Sequence, residues 1–297
     1  MPQSFTSIAL LGNAKDARVA ECLMSLSEHL CARGHRLIVE PDLGLALPPG
    51  VSVFPAQEFA AQATLIVAVG GDGTLLYAAR LLGGASVPLL GINRGRLGFL
   101  TDISRDSMLE DIDDVLAGRF VEDRRSLLAA RLERRKLPPV HALALNDVVV
   151  NKMETGRLLE LETTINGRFV NSHGGDGIVI ASATGSTAYA LSCGGPIVEP
   201  DLDVWVLAPI SPHTLSDRPI VVRAGSKIKM QVLDRPESRA QVTCDGISIG
   251  DLEHGDVLCV EGADVAVTLL HPPGYDFYRL LRSKLHWGRG GFGDQAE

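Results

Sequence analysis

Short apolar runs alternate with segments of helical periodicity from residue 7 to about residue 123. Continuously apolar runs at 8–11, 37–39, 65–69 and 88–92 predict buried strands. Between them, apolar residues recur at helical spacing over 19–30 and 75–82. Buried strands separated by helices are typical of a parallel sheet covered on both faces. The pattern therefore predicts an N-terminal α/β domain with a parallel sheet.

The rhythm changes after residue 125 to short alternating or β-branched runs, at 143–150, 158–164, 178–180, 204–207, 220–222 and 265–270. One helix-like segment, 186–192, interrupts them, and helical spacing returns over 277–287. We therefore expect a C-terminal all-β, sandwich-like domain over 125–274. The N-terminal domain would be 1–124, completed by the tail from about 275 to 297.

Composition and charge narrow the function classes. The 297 residues are 45% hydrophobic, which suits two globular domains, and the net charge of −8 disfavours nucleic acid as a partner. Five scattered cysteines contain no C-x-x-C pair and indicate reduced thiols. No apolar stretch approaches a membrane span, and no histidine pairing suggests a built-in metal. We expect a cytoplasmic protein with no membrane partner.

The sharpest motif lies where a predicted strand gives way to a helix: Gly70-Gly71-Asp72-Gly73-Thr74. Glycines at such a junction let backbone N–H groups approach phosphate at a helix N-terminus. A tight turn capped by Asp72 is the purely structural explanation. We favour a ligand site, because three glycines leave the one carboxylate unscreened. The chain has neither a P-loop nor a Rossmann glycine pattern here.

Two further signals involve polar residues beside predicted strands. A strand at 178–180 leads into a turn with four hydroxyls, Ser182, Thr184, Ser186 and Thr187, which would suit a ligand carrying phosphate and ribose. Simple N-capping needs only one of them. Asn146 and Asp147 lie within an apolar run, where they could hold sugar hydroxyls or form an ordinary turn.

Taken together, these blocks are similar to the NAD kinase family over nearly the whole chain. The similarity is carried by GGDGT at 70–74, GINRG at 91–95, LGFL at 97–100, DG at 176–177, TGSTAY at 184–189, GGP at 194–196, PHTLSDRP at 212–219 and SKL at 283–285. GGDGT is shared with phosphofructokinases and diacylglycerol-type lipid kinases. TGSTAY and PHTLS-RP point to the NAD kinases.

The resemblance implies transfer of the γ-phosphoryl of ATP, with Mg²⁺ carried by the nucleotide, to the 2′-hydroxyl of the adenosine ribose of NAD. Asp72 would accept the hydroxyl proton, with Gly73 leaving space beside it, and Gly70, Gly71, Gly73 and Thr74 would form a phosphate loop. The other substrate-binding residues implied are Asn146, Asp147, Arg157, Gly174, Asp176, Thr187, Ala188, Tyr189 and Ser192.

Further expectations concern assembly and rival functions. Asp176 resembles a residue contributed across a subunit contact, which implies a homodimer or homotetramer. A lipid kinase with the same glycine loop would need a basic or amphipathic membrane-facing segment, and none is evident. A non-catalytic NAD-binding module would bind dinucleotide but tolerate loss of Asp72.

Overall fold

The protein was analysed as a computed structural model, which describes residues 5–41, 43–95, 98–153, 159–233 and 239–286. The chain forms two compact units. The first runs to Arg124 and resumes at Val267, and the second is Arg125–Ala266.

The first unit is built on a parallel sheet. Its N-terminal segment contains β1 (Ser7–Gly12), α1 (Ala17–Ala32), β2 (Arg36–Val39), β3 (Ser52–Val53), a 3₁₀ turn (Ala56–Glu58), α2 (Phe59–Gln62), β4 (Leu65–Gly70), α3 (Asp72–Leu82), β5 (Leu89–Asn93) and α4 (Met108–Leu116). The strand order is β3-β2-β1-β4-β5, and every pairing is parallel. All residues of β1, β4 and β5 are buried, as expected for strands covered on both faces.

Local sequence explains where the helices of this unit begin and end. Asp16 caps α1 by accepting a hydrogen bond from the Arg18 N–H. The buried face of α1 includes Leu23, Leu26 and Leu30, which pack with β1, β4 and β5 residues in one core. Helix α3 starts directly after β4, so its N-terminus lies at the carboxyl edge of the sheet, where ligands of open α/β sheets bind.

The second unit consists mainly of antiparallel strands. Its elements are β6 (Val121–Arg134), β7 (Leu137–Ala144), β8 (Asp147–Lys152), β9 (Leu159–Ile165), β10 (Arg168–Gly175), β11 (Gly177–Ala181), a 3₁₀ turn (Thr184–Thr187), α5 (Tyr189–Ser192), β12 (Val204–Ile210), β13 (Ile220–Arg223), β14 (Ile228–Leu233), β15 (Arg239–Cys244), β16 (Ile247–Glu253) and β17 (Val257–His271). One sheet follows the order β13-β12-β11-β8-β15-β16. The other contains β10-β9-β14-β17, with β6 beside β17 and β7 beside β6.

Side chains from both sheets of the second unit form one core. Leu161 of β9 and Met230 of β14 belong to the same buried cluster as Val148, Ile180 and Trp205 of the other sheet. This is the packing of a β-sandwich. The fold class, an α/β domain with a parallel sheet and an antiparallel β-rich domain, confirms the sequence prediction.

The chain returns to the first unit within a strand. Leu269 and Leu270 of β17 pair in parallel with Leu89 and Leu90 of β5, and α6 (Phe277–Leu285) follows. The unit therefore resumes at Val267, whereas the periodicity suggested a return near residue 275. Because one strand continues through this position, no change of pattern marks it.

Two predicted elements differ from those observed. The run 143–150 is not one strand, because β7 ends at Ala144 and β8 begins at Asp147. The N–H groups of Leu145 and Asn146 donate instead to the side chain of Asp245. The helix over 186–192 is only a 3₁₀ turn followed by a single α-turn. Within the described part of the chain, no helix has the length and apolar character needed to cross a bilayer.

We predict that Leu26→Ala lowers the free energy of unfolding by about 2–5 kcal/mol, because the fully buried side chain would leave a cavity under α1. Met24 lies on the same helix and is 37% exposed, so Met24→Ala should change stability by no more than about 0.5 kcal/mol. Urea unfolding followed by circular dichroism compares the two. Equal losses would show that α1 does not pack as described.

Candidate functional site

The glycines after β4 have different roles. A Cβ on Gly70 would lie 2.2 Å from Thr74 Oγ1, so packing inside the chain requires glycine there. A Cβ on Gly71 or Gly73 would meet no atom within 4 Å. No packing contact in the described chain explains these two glycines, and the space beside them is open to a ligand. In the first turn of α3, the Thr74 and Leu75 N–H groups donate to the Gly71 carbonyl at 2.9 and 3.4 Å. The N–H groups of Asp72 and Gly73 have no i−4 partner within the helix.

Asp72 is the first residue of α3, and its carboxylate is held by the loop that follows β5. Oδ2 accepts a hydrogen bond from the Phe99 N–H at 2.9 Å. Oδ1 accepts from the Leu100 N–H at 3.1 Å, the Thr101 N–H at 3.2 Å and the Thr101 hydroxyl at 3.1 Å. These donors therefore cover part of the carboxylate. The glycine pattern suggested instead that the carboxylate is unscreened. Asp72 does not cap its own helix, because Gly71 is the N-cap residue.

The two oxygens of Asp72 accept different numbers of hydrogen bonds. A carboxylate offers about four acceptor positions, two on each oxygen. Oδ1 takes three donors while Oδ2 takes one. Oδ2 can therefore accept a further hydrogen bond, for example from a ligand hydroxyl.

Gly98 makes the close approach of loop and carboxylate possible. A Cβ there would lie 1.8 Å from Asp72 Oδ1, an impossible contact. The loop is also tied to β5, because Asn93 Nδ2 donates to Thr101 Oγ1 at 2.8 Å. Sequence reasoning did not identify 99–101 as a functional segment. Its only signal was the LGFL block, which carries no chemically distinctive side chain.

A pocket of about 460 Å³ lies beside this turn. It is lined by the end of β1 and the residues after it, by the residues following β2 and by the start of α3, namely Leu11, Gly12, Asn13, Ala14, Lys15, Glu40, Pro41, Leu43, Gly73, Thr74 and Tyr77. The N-termini of α1 and α3 and the Lys15 ammonium supply positive potential here. Glu40 also lines the pocket, and burial raises its pKa. The helix N-termini and Lys15 suit an anionic group.

In the second unit, Asp147 begins β8 and is 6% exposed. Burial, together with the neighbouring Asp245 carboxylate, raises its pKa to about 7, although the Tyr189 N–H donates to it. Asp245 in turn accepts the N–H groups of three consecutive residues, 145–147, at 2.8–3.1 Å. The carboxyl of Asp147 can therefore accept or donate a proton near neutral pH.

Most hydroxyls of the turn after β11 are already engaged. Ser182 Oγ donates to the Leu145 carbonyl at 2.5 Å, and Thr184 Oγ1 accepts from Arg125 at 3.2 Å. Ser186 Oγ bonds to both the N–H and the carbonyl of Val198. These three buried hydroxyls hold the turn in shape, so they are engaged within the protein although the sequence suggested that the turn's hydroxyls suit a ligand.

The rest of this turn is accessible. Thr187 and Ala188 are partly exposed, Tyr189 is 39% exposed and Ser192 is exposed. The bond from the Tyr189 N–H to Asp147 places this segment against the start of β8. Gly185 allows the contact, since a Cβ there would lie 2.1 Å from the Asn146 carbonyl oxygen. Asn146, Asp147 and 187–192 thus form one local cluster.

Asp176 and Gly174 lie at the opposite end of β11 from this cluster. Asp147 is paired with Ala181, the last residue of β11, whereas Asp176 precedes its first residue. At about 3.3 Å per residue, the two ends are roughly 16 Å apart along the strand. Lys152 forms an ion pair with Asp176, and its hydrogen bond holds the pKa of that carboxyl below the usual value.

Two remaining expectations concern Arg157 and metal ligands. Arg157 falls outside the described residues. Over the ranges that the structure describes, no three His, Cys, Asp or Glu side chains are grouped so that they could hold a metal ion.

Family models match both halves of the chain. The model for the ATP-NAD kinase N-terminal domain matches residues 8–120, and that for the ATP-NAD kinase C-terminal domain matches residues 145–271. An NAD kinase of Methylococcus capsulatus is 43% identical over 287 residues, covering 97% of this chain and 99% of the relative. An NAD kinase of Nitrosococcus oceani is 42% identical over 290 residues, with coverage of 97% and 99%.

Solved structures show the same fold. A yeast NADH kinase complexed with NADH has a TM-score of 0.89 at 24% identity, covering 99% of this chain and 91% of that one. An NAD kinase from Archaeoglobus fulgidus in complex with ATP has a TM-score of 0.73 at 26% identity, covering 93% and 98%.

We predict that Asp147→Asn makes the protein more stable than the wild type, and increasingly so as the pH rises. A carboxyl with a pKa of about 7 when folded and 3.8 as a free group binds its proton more tightly in the folded state. Ionisation of Asp147 therefore lowers the free energy of unfolding progressively as the pH rises from 3.8 to about 7, and the full loss applies above pH 7. The variant's advantage should grow by roughly 2–3 kcal/mol between pH 5 and pH 8.

Urea unfolding at both pH values measures this difference. Asp201→Asn, at an exposed position of the same unit, is the control and should follow the wild-type pH dependence. Parallel curves for the wild type and Asp147→Asn would contradict the assignment.

Proposed function

This chain belongs to the NAD kinase family and is an ATP-dependent NAD kinase, and we propose how its residues carry out the reaction. The γ-phosphoryl group of ATP passes to the 2′-hydroxyl of the adenosine ribose of NAD, giving NADP and ADP. The observation that carries this assignment is the Asp72 carboxylate, held by the loop donors with Oδ2 still able to accept a further hydrogen bond.

Asp72 acts as the proton acceptor. Phosphoryl transfer passes through a loose transition state, so the protein chiefly aligns the reactants and stabilises charge. Oδ2 orients the 2′-hydroxyl and takes its proton as the O–P bond forms. The open space beside Gly71 and Gly73 supports this role, because no side chain there blocks the carboxylate.

The ATP phosphates occupy the pocket beside the β4–α3 turn. Gly70, Gly71, Gly73 and Thr74 form the phosphate loop, where N–H groups at the start of α3 donate to phosphate oxygens. Lys15 on the wall of the pocket adds a positive charge. Mg²⁺ arrives bound to ATP and offsets the charge of the phosphates.

The second unit recognises the dinucleotide. Asn146 and Asp147 bind ribose hydroxyls, and Thr187, Ala188, Tyr189 and Ser192 contact the adenylate half. The pKa of about 7 lets Asp147 donate to or accept from a hydroxyl. We assign Arg157 and Gly174 to substrate binding as well, on the family pattern alone.

We further propose that the protein is a cytoplasmic homodimer or homotetramer in which Asp176 serves the site of a second copy. Asp176 lies at the opposite end of β11 from Asp147 of its own chain, and this separation supports the assignment. Within its own chain, Asp176 is partly exposed beside Lys152 and can meet a ligand held elsewhere.

The family assignment disfavours the lipid kinase alternative. The similarity to NAD kinases over nearly the whole chain also disfavours an NAD-binding module without catalytic activity, although such a module would share the fold. The two differ in what Asp72 does: a binding module needs no proton acceptor, whereas a kinase does.

We predict that the purified wild type forms NADP from NAD, ATP and Mg²⁺, read out with an NADP-specific dehydrogenase. Asp72→Asn should lower turnover by roughly two to four orders of magnitude, because the amide cannot accept the proton. NAD affinity, measured by calorimetry, should be retained. Asp201→Asn serves as the exposed control. Normal turnover in Asp72→Asn would show that this carboxylate is not the proton acceptor, and no NADP from the wild type would favour a binding module.

We predict that Gly98→Ala also lowers turnover, by roughly 100-fold, because the new Cβ would displace the Asp72 carboxylate from its donors. Gly225→Ala is a matched control, since a Cβ there meets nothing within 4 Å and its backbone is unstrained. Both variants are assayed by NADP formation at saturating substrates. Wild-type turnover in Gly98→Ala would mean that the carboxylate need not lie where it is held here.

A further inference from the structure

The loop that holds Asp72 is anchored at its far end by a buried ionic cluster. The donors at Phe99, Leu100 and Thr101 are followed directly by Asp102 and Ile103. Ile103 pairs with β5, since its carbonyl accepts the Asn93 N–H at 2.8 Å. The Asp102 side chain bonds through Oδ2 to His271 Nδ1 at 2.9 Å.

His271, the last residue of β17, lies between two carboxylates and is fully buried. Its Nε2 bonds to Asp123 Oδ2 at 3.2 Å, and its ring stacks on Tyr275 at 3.8 Å between centroids. Each carboxylate exposes only 7% of its side chain. Both partners are carboxylates, so a ring that carries a proton on each nitrogen satisfies both bonds, and the geometry favours the cationic imidazole. Burial opposes this charge, but the bonds to Asp102 and Asp123 prevail and raise the pKa of His271.

Asp102 depends on this contact. Its other oxygen, Oδ1, is buried and has no hydrogen-bond partner in the part of the chain that the structure describes. Losing the imidazolium would leave a buried carboxylate uncompensated, which is strongly unfavourable. Asp102 would then move toward water and carry with it Thr101, whose N–H and hydroxyl both bind Asp72.

We infer that His271 is a positioning residue for the phosphoryl transfer: through Asp102 it fixes the 99–101 donors and so the orientation of the Asp72 carboxylate. A histidine that only filled the core would need a single carbonyl or hydroxyl partner. Here the His271 ring bonds on one side to Asp102, which follows the Asp72 donors in the chain, and on the other side to Asp123 of β6. This inference rests on the proton-accepting role proposed for Asp72.

The test compares His271→Gln with the double variant His271→Gln/Asp102→Asn. The single variant removes the cation between two carboxylates. We expect exchange of the Phe99, Leu100 and Thr101 amide hydrogens, followed by NMR, to accelerate at least about 10-fold. We also expect kcat to fall roughly 10–100-fold, with KM for NAD and ATP within about twofold of wild type.

The double variant should restore both readouts to within about threefold of wild type. The introduced glutamine amide can donate to Asp123 and accept from the amide introduced at position 102. Position 102 then carries no charge, so the segment next to the Asp72 donors is no longer driven toward water. His254→Gln and Asp106→Ala, both at exposed positions, are the controls and should leave exchange and kcat unchanged.

Asp102→Ala keeps the test decisive if His271→Gln does not fold, because it cuts the link to the loop but leaves the His271–Asp123 pair. It should accelerate exchange and lower kcat in the same way. If the folded variants lose stability while exchange at 99–101 and kcat per folded molecule stay at wild-type values, His271 has only a structural role. The exchange readout does not depend on turnover, so it remains valid even if Asp72→Asn proves fully active.

Discussion

The capture of three consecutive backbone N–H groups by one aspartate is the interaction on which both candidate sites depend. In the first unit, Asp72 binds the N–H groups of 99–101, and in the second, Asp245 binds those of 145–147. Hydrogen bonds to a carboxylate are stronger than those between neutral groups. Each aspartate therefore fixes a loop at the end of a strand through hydrogen bonds to its side chain rather than through backbone pairing between strands. In the second unit this breaks an otherwise apolar run into two strands.

The same device has opposite consequences for the neighbouring acids. Asp72 itself accepts the three N–H groups, so the loop compensates its charge and its remaining acceptor position has a fixed direction. Asp147 instead lies beside the charge of Asp245, and burial adds to the repulsion, which raises its pKa to about 7. A fixed anion suits alignment of a reacting hydroxyl. A carboxyl that changes protonation near neutral pH suits binding of hydroxyls that donate or accept.

The sequence predicted what periodicity and local motifs encode: the α/β and β-rich halves, and the position of GGDGT between a buried strand and a helix. It could not predict the donors to Asp72, because backbone N–H groups carry no residue signature and 99–101 lie 27 or more positions away. It overvalued the hydroxyls of Ser182, Thr184 and Ser186, since composition does not show whether a hydroxyl faces the protein or a ligand. Only coordinates reveal that these three hold their own turn.

The glycines of the two sites are required for different physical reasons, which the sequence pattern does not distinguish. Gly70, Gly98 and Gly185 would each place a Cβ within 2.2 Å of another atom of the chain. At Gly70 and Gly185 the contact is with Thr74 and with a backbone oxygen, so packing requires glycine, whereas at Gly98 the Cβ would displace the Asp72 carboxylate. Gly71 and Gly73 face empty space, with no such requirement. A side chain at either position would cost the fold little but would occupy the volume next to Asp72. Packing inside the described chain therefore does not account for these two glycines, whereas clearance for a ligand does.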